Sequence, residues 1–282
     1  MFLPKCNMLD HVSRKPQSRF DIRKTVAVVI SGCSSDYANS AEAVLCHVNR
    51  IFPELLMSYS QWNSARALNE SVHEMLAKQF GLVQKMIVIW CGLASALETF
   101  LSMDDAEWLL VLESDARPLR DYRVVRDIFD KIPQDGDLVL LDWFYNQEVE
   151  KFRNNSIKDG CYYVLDSRID LRSSACQVLS RRGAQFMLDH SSIFSNPLLL
   201  KSFYTREQVA AMTRGLSNVL ATDMYCLVMT NEKVANMNVY CSRDRPFIQY
   251  EHNKFNGYLR DPFFCGVESY YSKKELVYET GT

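Results

Sequence analysis

The sequence carries no large charge of either sign, no apolar run long enough to cross a bilayer, no paired cysteines and no phosphate-cradling glycine loop. Each absence removes a class of function. The 32 Lys and Arg against 34 Asp and Glu leave a net charge of −2 at pH 7, which gives no global field for holding nucleic acid through many phosphate contacts. No stretch approaches the roughly 18 apolar residues of a membrane span. The opening "MFLPKCNMLDHVSRKPQSRF" puts Pro4 and Lys5 where a secretory apolar core would lie, so neither an export signal nor a span is expected; peripheral membrane contact stays open. The nine cysteines are odd in number, scattered and never spaced C-x-x-C. They read as buried free thiols in a reducing, cytoplasmic setting rather than as disulfides or zinc ligands. Neither D-x-D-x-[TV] nor G-x-x-x-x-G-K occurs, which counts against haloacid-type phosphatases and P-loop kinases. No internal repeat and no low-complexity segment is visible.

What is present is an ordinary globular chain of 282 residues, 48% hydrophobic and 23% charged, long enough to bury one large core. Residues 1–24 read as a polar, basic N-terminal arm, and residues 25–282 as a single domain. "TVAVVIS" (25–31) predicts a strand and "GCSSDYANS" the loop after it. Residues 41–52 predict a helix stopped by Pro53, "LLMSYS" a short strand, and 64–79 a helix. "KMIVIW" (85–90) predicts a strand, 92–103 a helix, "EWLLVLES" a strand, "YRVVRDIFDKI" a helix and "GDLVLLDW" (136–143) a strand. This alternation, with continuous apolar strands, predicts an α/β fold with a mostly parallel central sheet covered on both faces. Beyond residue 145 the pattern changes. "CYYVLDS" and "SSACQVLS" predict antiparallel strands, "RRGAQFMLDHS", 205–214 and 220–229 predict helices, "KVANMNVYCS" predicts a further strand, and the aromatic tail from 247 predicts extended coil.

The stretch "WLLVLESDARPL" (108–119) holds the main chemical signal. An apolar strand ends in Glu113 and Asp115, and in an open α/β sheet ligands bind outside the carboxyl ends of the strands. Successive strand residues point to opposite faces, so Glu113 and Asp115 are expected to point the same way, with Ser114 elsewhere, and to present two carboxylates to one point. Mg²⁺ and Mn²⁺ take oxygen ligands, often one or two carboxylates completed by substrate phosphates and water. The plainer reading is that the acids end a strand and meet solvent, or pair with Arg117 or Arg120.

The ordered blocks "GLASALETFLSMDDAEWLLVLESDARPL", "GDLVLLDWF", "SSACQVLSRRGAQFMLD", "ATDMYCLVM" and "RPFIQ" resemble glycosyltransferase family 25, the lipooligosaccharide-biosynthesis and collagen galactosyltransferase type, across roughly residues 86–250. The family carries Glu-Asp-Asp after its apolar strand. This chain keeps both outer acids, with Ser114 between them, and has Ala96 where the family has a His. The resemblance implies a GT-A-like fold, Rossmann-like with a decorated C-terminal part, divided into a nucleotide-sugar-binding half (25–145) and an acceptor-binding half (146–282).

It further implies a metal-dependent glycosyltransferase moving a sugar, with inversion, from a nucleotide-sugar donor, UDP-linked by preference, to a glycan or glycolipid acceptor. Mn²⁺ or Mg²⁺ would be held by Glu113 and Asp115, with His252 as third ligand. Ser31, Gly32 and Cys33 would approach the nucleotide, with Ser114 alongside, because small residues allow close backbone contact. Arg243, Arg245 or Lys254 would cap phosphate oxygens. Asp223 is the first candidate base and Asp142 the second; Asp223 equally suits the first turn of a helix. Two other functions stay open: a nucleotidyltransferase, against which the lack of a basic residue in "SGCSSDYANS" counts, and a non-catalytic glycosyltransferase-like binding or scaffold protein. Donor sugar, acceptor and oligomeric state are not legible from the residues.

Overall fold

The computed structural model describes residues 20–31, 35–62, 83–118, 121–142, 144–145, 157–158, 161–165, 171–172, 175–189, 228–230 and 235–249. The sequence expectations for Gly32, Cys33, residues 64–79, Trp143, residues 205–214, Asp223, His252 and Lys254 lie outside these residues, as does all but the end of the segment 220–229.

The chain opens with β1 (Thr25–Ser31), β-branched and buried along its whole length. Such a strand must be covered on both faces. α1 (Ser35–Ile51) follows and buries Ala41, Val44, Val48 and Ile51, spaced at helical intervals on one side. Pro53 stands just past its end, where a helix cannot continue easily. β2 (Met57–Trp62) then pairs with β1 in parallel.

The segment expected as strand 85–90 plus a separate helix is instead one helix, α2 (Val83–Leu101). An apolar run such as "KMIVIW" suits a buried strand or a buried helix equally. The glycine within α2, Gly92, costs a helix only about 1 kcal/mol relative to Ala. Leu93, Ala96, Leu97 and Phe100 are all buried at spacings of three and four, so the helix burial pattern decides the outcome.

β3 (Trp108–Glu113) is buried through Leu112 and emerges at Glu113. After a two-residue turn comes β4 (Ala116–Pro118). α3 (Tyr122–Asp130) is capped by Asp121, whose side chain accepts from the Arg123 amide at 2.9 Å. It buries Val125, Ile128 and Phe129. β5 (Leu138–Leu140), shorter than the span 136–143 expected, comes next. Then come β6 (Phe144–Tyr145), β7 (Ile157–Lys158), β8 (Tyr162–Val164), β9 (Leu171–Arg172) and β10 (Cys176–Ser180). α4 (Arg181–Asp189), β11 (Val239–Ser242) and β12 (Phe247–Gln249) complete the described elements.

Eight strands form one sheet in the order β2-β1-β3-β10-β5-β11-β8-β7. β1, β2 and β3 are mutually parallel, as are β5 and β11. β10 lies antiparallel between β3 and β5, and β8 is antiparallel to both β11 and β7. Only β8 and β10 therefore oppose the common strand direction, as the antiparallel reading of their sequences expected. This is the expected α/β arrangement with a mostly parallel central sheet. Strands from both expected halves of the domain share the one sheet.

Alternate residues of the strands feed two cores. Leu109, Val111, Leu140 and Leu179 join α2 and α4 on one face, while Trp108, Leu110, Leu112 and Val178 join α1 and α3 on the other. Phe20, inside the expected N-terminal arm, packs its ring edge-on against Trp108 at 5.5 Å between centroids. The start of the tail is not coil: β12 pairs antiparallel with β4, Ile248 opposite Arg117. Of the described cysteines, Cys176 and Cys241 are buried thiols as expected, but Cys46 is exposed, because it lies on the outer side of α1.

Candidate functional site

β1 has β2 on one side and β3 on the other, and α1 and α2 cover opposite faces. The chain thus reverses its direction of strand addition at β1, the topology that opens a crevice at the carboxyl ends of the two central strands. Ser31 ends β1 and Glu113 ends β3 at this crevice. The Ser114 amide donates to Ile30 O at 3.0 Å, and the Glu113 amide donates to Ala175 O at 2.9 Å. The acid-bearing turn is therefore stitched to β1 on one side and to the start of β10 on the other.

The expectation that strand alternation aims Glu113 and Asp115 the same way does not apply, because the strand stops at Glu113 and Ser114 and Asp115 form the turn into β4. What orients Asp115 is the turn itself. Arg117 Nη1 donates to Ser114 O at 3.1 Å and to Ala116 O at 2.8 Å, and its Nη2 donates to Ser40 Oγ at 2.8 Å. Ser40 Oγ in turn donates to Ser114 O at 2.7 Å. A guanidinium with five N–H donors in a fixed fork can hold three oxygens at once. This ring around the Ser114 carbonyl fixes the backbone between the two carboxylates. Ser114 itself is 6% exposed, so its contribution runs through its backbone. Sequence alone offers Arg117 only as a partner for the acids; its clamp depends on Ser40, which precedes it by 77 residues.

The same cluster extends to His47, whose Nδ1 lies 2.5 Å from the Tyr122 hydroxyl. Burial first, then the positive charges of Arg117 and Arg50, hold the His47 imidazole below its ordinary value of 6.5. The ring is thereby kept neutral beside the clamp.

Asp142 follows β5 at the same edge, 2% exposed, with Arg245 Nη1 at 3.7 Å from its Oδ1. Its amide donates to Cys176 O at 3.1 Å. The Cys176 thiol is pushed well above its usual range, chiefly by burial and further by the Asp142 charge, which leaves it protonated and inert. Of the cationic residues expected near phosphate, Arg245 is enclosed against Asp142, while Arg243 is exposed and donates its amide to Cys161 O at 2.7 Å.

Ser31, Glu113, Ser114, Asp115, Asp142 and Arg243 are thus gathered along one sheet edge. Among the described residues no three His, Cys, Asp or Glu side chains form a metal cage. The donor set at the turn is a pair of carboxylates, a fit for a hard cation that takes its remaining ligands from substrate and water.

The opposite edge serves the fold. Asp137, fully buried, forms an ion pair with Arg182 and accepts from the Asn238 amide at 3.0 Å and from Ser180 Oγ at 3.2 Å. Ser180 Oγ accepts from the Gly183 amide at 3.1 Å, capping α4. The Ser-x-x-Gly-Ala segment that carries part of the family resemblance, Ser180 to Ala184, thus builds a helix start away from the crevice.

No family model matches the sequence, and no curated protein matches it. Among solved structures, the protein A197 from STIV is 14% identical, with 83% of this chain and 97% of that chain covered at a TM-score of 0.34. Mannose-1-phosphate geranyltransferase from Thermus thermophilus is 14% identical, covering 80% and 75% at 0.40. Mouse xyloside xylosyltransferase 1 is 11% identical, covering 76% and 70% at 0.29. At such scores these likenesses carry no weight for the reaction; the site geometry has to bear it.

Proposed function

We propose that the protein is a metal-dependent glycosyltransferase that takes a sugar from a nucleotide-sugar donor, UDP-linked by preference, to a glycan or glycolipid acceptor with inversion at the anomeric carbon. The observation that carries this reading is the Glu113-Ser114-Asp115 turn at the carboxyl end of β3, beside the end of β1 at the point where strand order reverses. Glu113 and Asp115 would hold Mg²⁺ or Mn²⁺. When bound, such an ion supplies a Lewis acid that neutralises a diphosphate leaving group.

The chain's own residues have separable tasks. Arg117 and Ser40 fix the carbonyl between the two acids, so the carboxylates are preorganised and little ordering cost is left for binding. The end of β1 at Ser31 gives the nucleotide a close approach to backbone. Asp142, ion-paired with Arg245, holds a carboxylate at the same edge. The proton of the acceptor hydroxyl goes to a carboxylate base on the face opposite the leaving group, a role for which Asp223 is the first candidate and Asp142 the second.

Isothermal titration of UDP-sugars with Mn²⁺, against wild type and the Glu113→Ala/Asp115→Ala variant, tests the reading. We expect metal-dependent binding that weakens by more than about 100-fold in the variant, beyond the effect typical of groups that only orient metal ligands. Equal binding in the two proteins sinks the metal assignment. Metal-dependent binding without transfer or hydrolysis on any donor would favour a scaffold, and release of diphosphate from a nucleoside triphosphate would favour a nucleotidyltransferase.

A further inference from the structure

Gln177 is an anomaly in an otherwise apolar layer. It lies in β10, one residue in from the carboxyl edge of the main sheet direction, with Val111 of β3 on one side and Leu140 of β5 on the other. Val111, Leu140 and the next same-face residue of β10, Leu179, all belong to the core beneath α2 and α4. Gln177 is 2% exposed, and its Nε2 has no hydrogen-bond partner among the described residues. Leaving a buried amide donor unsatisfied costs about 1–3 kcal/mol, and native structures keep few such groups without a reason.

Its position supplies one. Glu113 is two residues beyond Val111 in β3, so alternation puts it on the same face as Gln177, as a diagonal neighbour across the strand pair. Diagonal neighbours of this kind stand about 7–8 Å apart at the backbone. An oxygen that accepts from one group and donates to the other spans about 5.5–6 Å between them. Diagonal neighbours are within reach of long side chains, so the pair can offer one hydroxyl a neutral N–H donor and a carboxylate acceptor. A hydroxyl both accepts and donates and so can serve both groups at once, whereas a phosphate oxygen only accepts and offers the Glu113 carboxylate no proton.

We propose that Gln177, next to Glu113, forms a subsite for a sugar hydroxyl, with Nε2 donating to the hydroxyl oxygen of the transferred ring. This rests on the glycosyl-transfer reading and names the part of the ligand that this edge of the site recognises. The metal at Glu113 and Asp115 and the nucleotide at the end of β1 lie next to this subsite, which contacts the transferred ring. The subsite selects sugar-bearing donors over the bare nucleotide.

The test compares wild type with Gln177→Leu and Gln177→Met in three measurements: unfolding midpoint without ligand, UDP affinity with Mn²⁺, and affinity for UDP-glucose and UDP-galactose with Mn²⁺. The expected result is an unchanged or raised midpoint, unchanged UDP affinity, and at least one UDP-sugar weakened about five- to tenfold, the range of one neutral hydrogen bond. A lowered midpoint in both variants makes Gln177 a structural residue and overturns the proposal. So does a loss shared equally by UDP and the UDP-sugars, or no loss at all. If wild type binds no UDP with Mn²⁺, the metal–diphosphate reading fails by itself. The subsite is then judged with methyl glucoside and methyl galactoside at millimolar concentration, through the Gln177 side-chain amide signal in NMR spectra: a shift supports it, and a static signal overturns it.

Discussion

Gly183→Ala is the perturbation whose outcome the structure sets most sharply. A methyl group on Gly183 would meet Asp137 O at 2.0 Å and Asp137 C at 2.9 Å, both inside the 3.0 Å that Cβ contacts essentially never breach. The obstacle is backbone, and it is pinned: Asp137 O accepts from the Ser180 amide at 3.1 Å, while its carboxylate is held by Arg182 and the Asn238 amide. Two effects compete. Replacing Gly by Ala inside a helix gains about 1 kcal/mol from propensity, whereas forcing atoms into a closed interior costs typically about 1–3 kcal/mol and occasionally more. With Asp137 held at both its carbonyl and its carboxylate, the cost belongs at or above the upper end, and we expect a net loss of about 2–3 kcal/mol. For a protein of this size that lowers the melting temperature by about 3–5 °C. Gln185→Ala, on the exposed side of the same helix, removes only a bond to Asp189 and should stay within about 0.5 kcal/mol. Urea unfolding of the three proteins at one pH is the assay. A Gly183→Ala midpoint equal to or above wild type would refute the close-approach reasoning. UDP affinity of the folded variant should be unchanged, because Gly183 lies at the opposite sheet edge.

Arg117→Ala removes the clamp on Ser114 O, Ala116 O and Ser40 Oγ; we expect loss of stability of about 1–3 kcal/mol together with weaker Mn²⁺-dependent nucleotide binding, and Arg117→Lys should restore little of either, since a single ammonium nitrogen cannot reproduce the planar two-nitrogen fork. Arg245→Met leaves the buried Asp142 carboxylate without its nearby guanidinium and should cost about 3 kcal/mol or more, with Asp142→Leu/Arg245→Met recovering much of it in the same unfolding assay. The His47 shift has a defined sign: the folded imidazole titrates below 6.5, so both states are neutral above that value, and stability falls as pH drops below it because the unfolded chain takes up the proton first. The urea midpoint of wild type should therefore decline between pH 7 and pH 5 more steeply than that of His47→Gln, and parallel curves would contradict the assignment.

Much of the scaffold was legible because it is locally encoded. The β-branched run of β1, the apolar run of β3, the helical spacing of Val44, Val48 and Ile51 and the antiparallel character of β8 and β10 all follow from periodicity within a few residues. The two acids at the end of β3 were equally visible, since an apolar strand closing on carboxylates needs no tertiary knowledge to be noticed. The strand expected over 85–90 failed for the same reason: an apolar run of that length carries no period that separates helix from strand.

What the sequence by itself determined is a sheet-forming chain with a carboxylate pair at a strand terminus; what only the tertiary structure decided is the set of neighbours around that pair. β10 enters between β3 and β5 from far along the chain and brings Gln177 beside Glu113. Ser40 on α1 completes the Arg117 clamp, and Arg245 reaches Asp142. None of these pairings leaves a local trace, because each joins residues whose own segments would look the same beside any other apolar strand or helix. Strand order selects the partners, and strand order is set by how two faces of one sheet are buried at once.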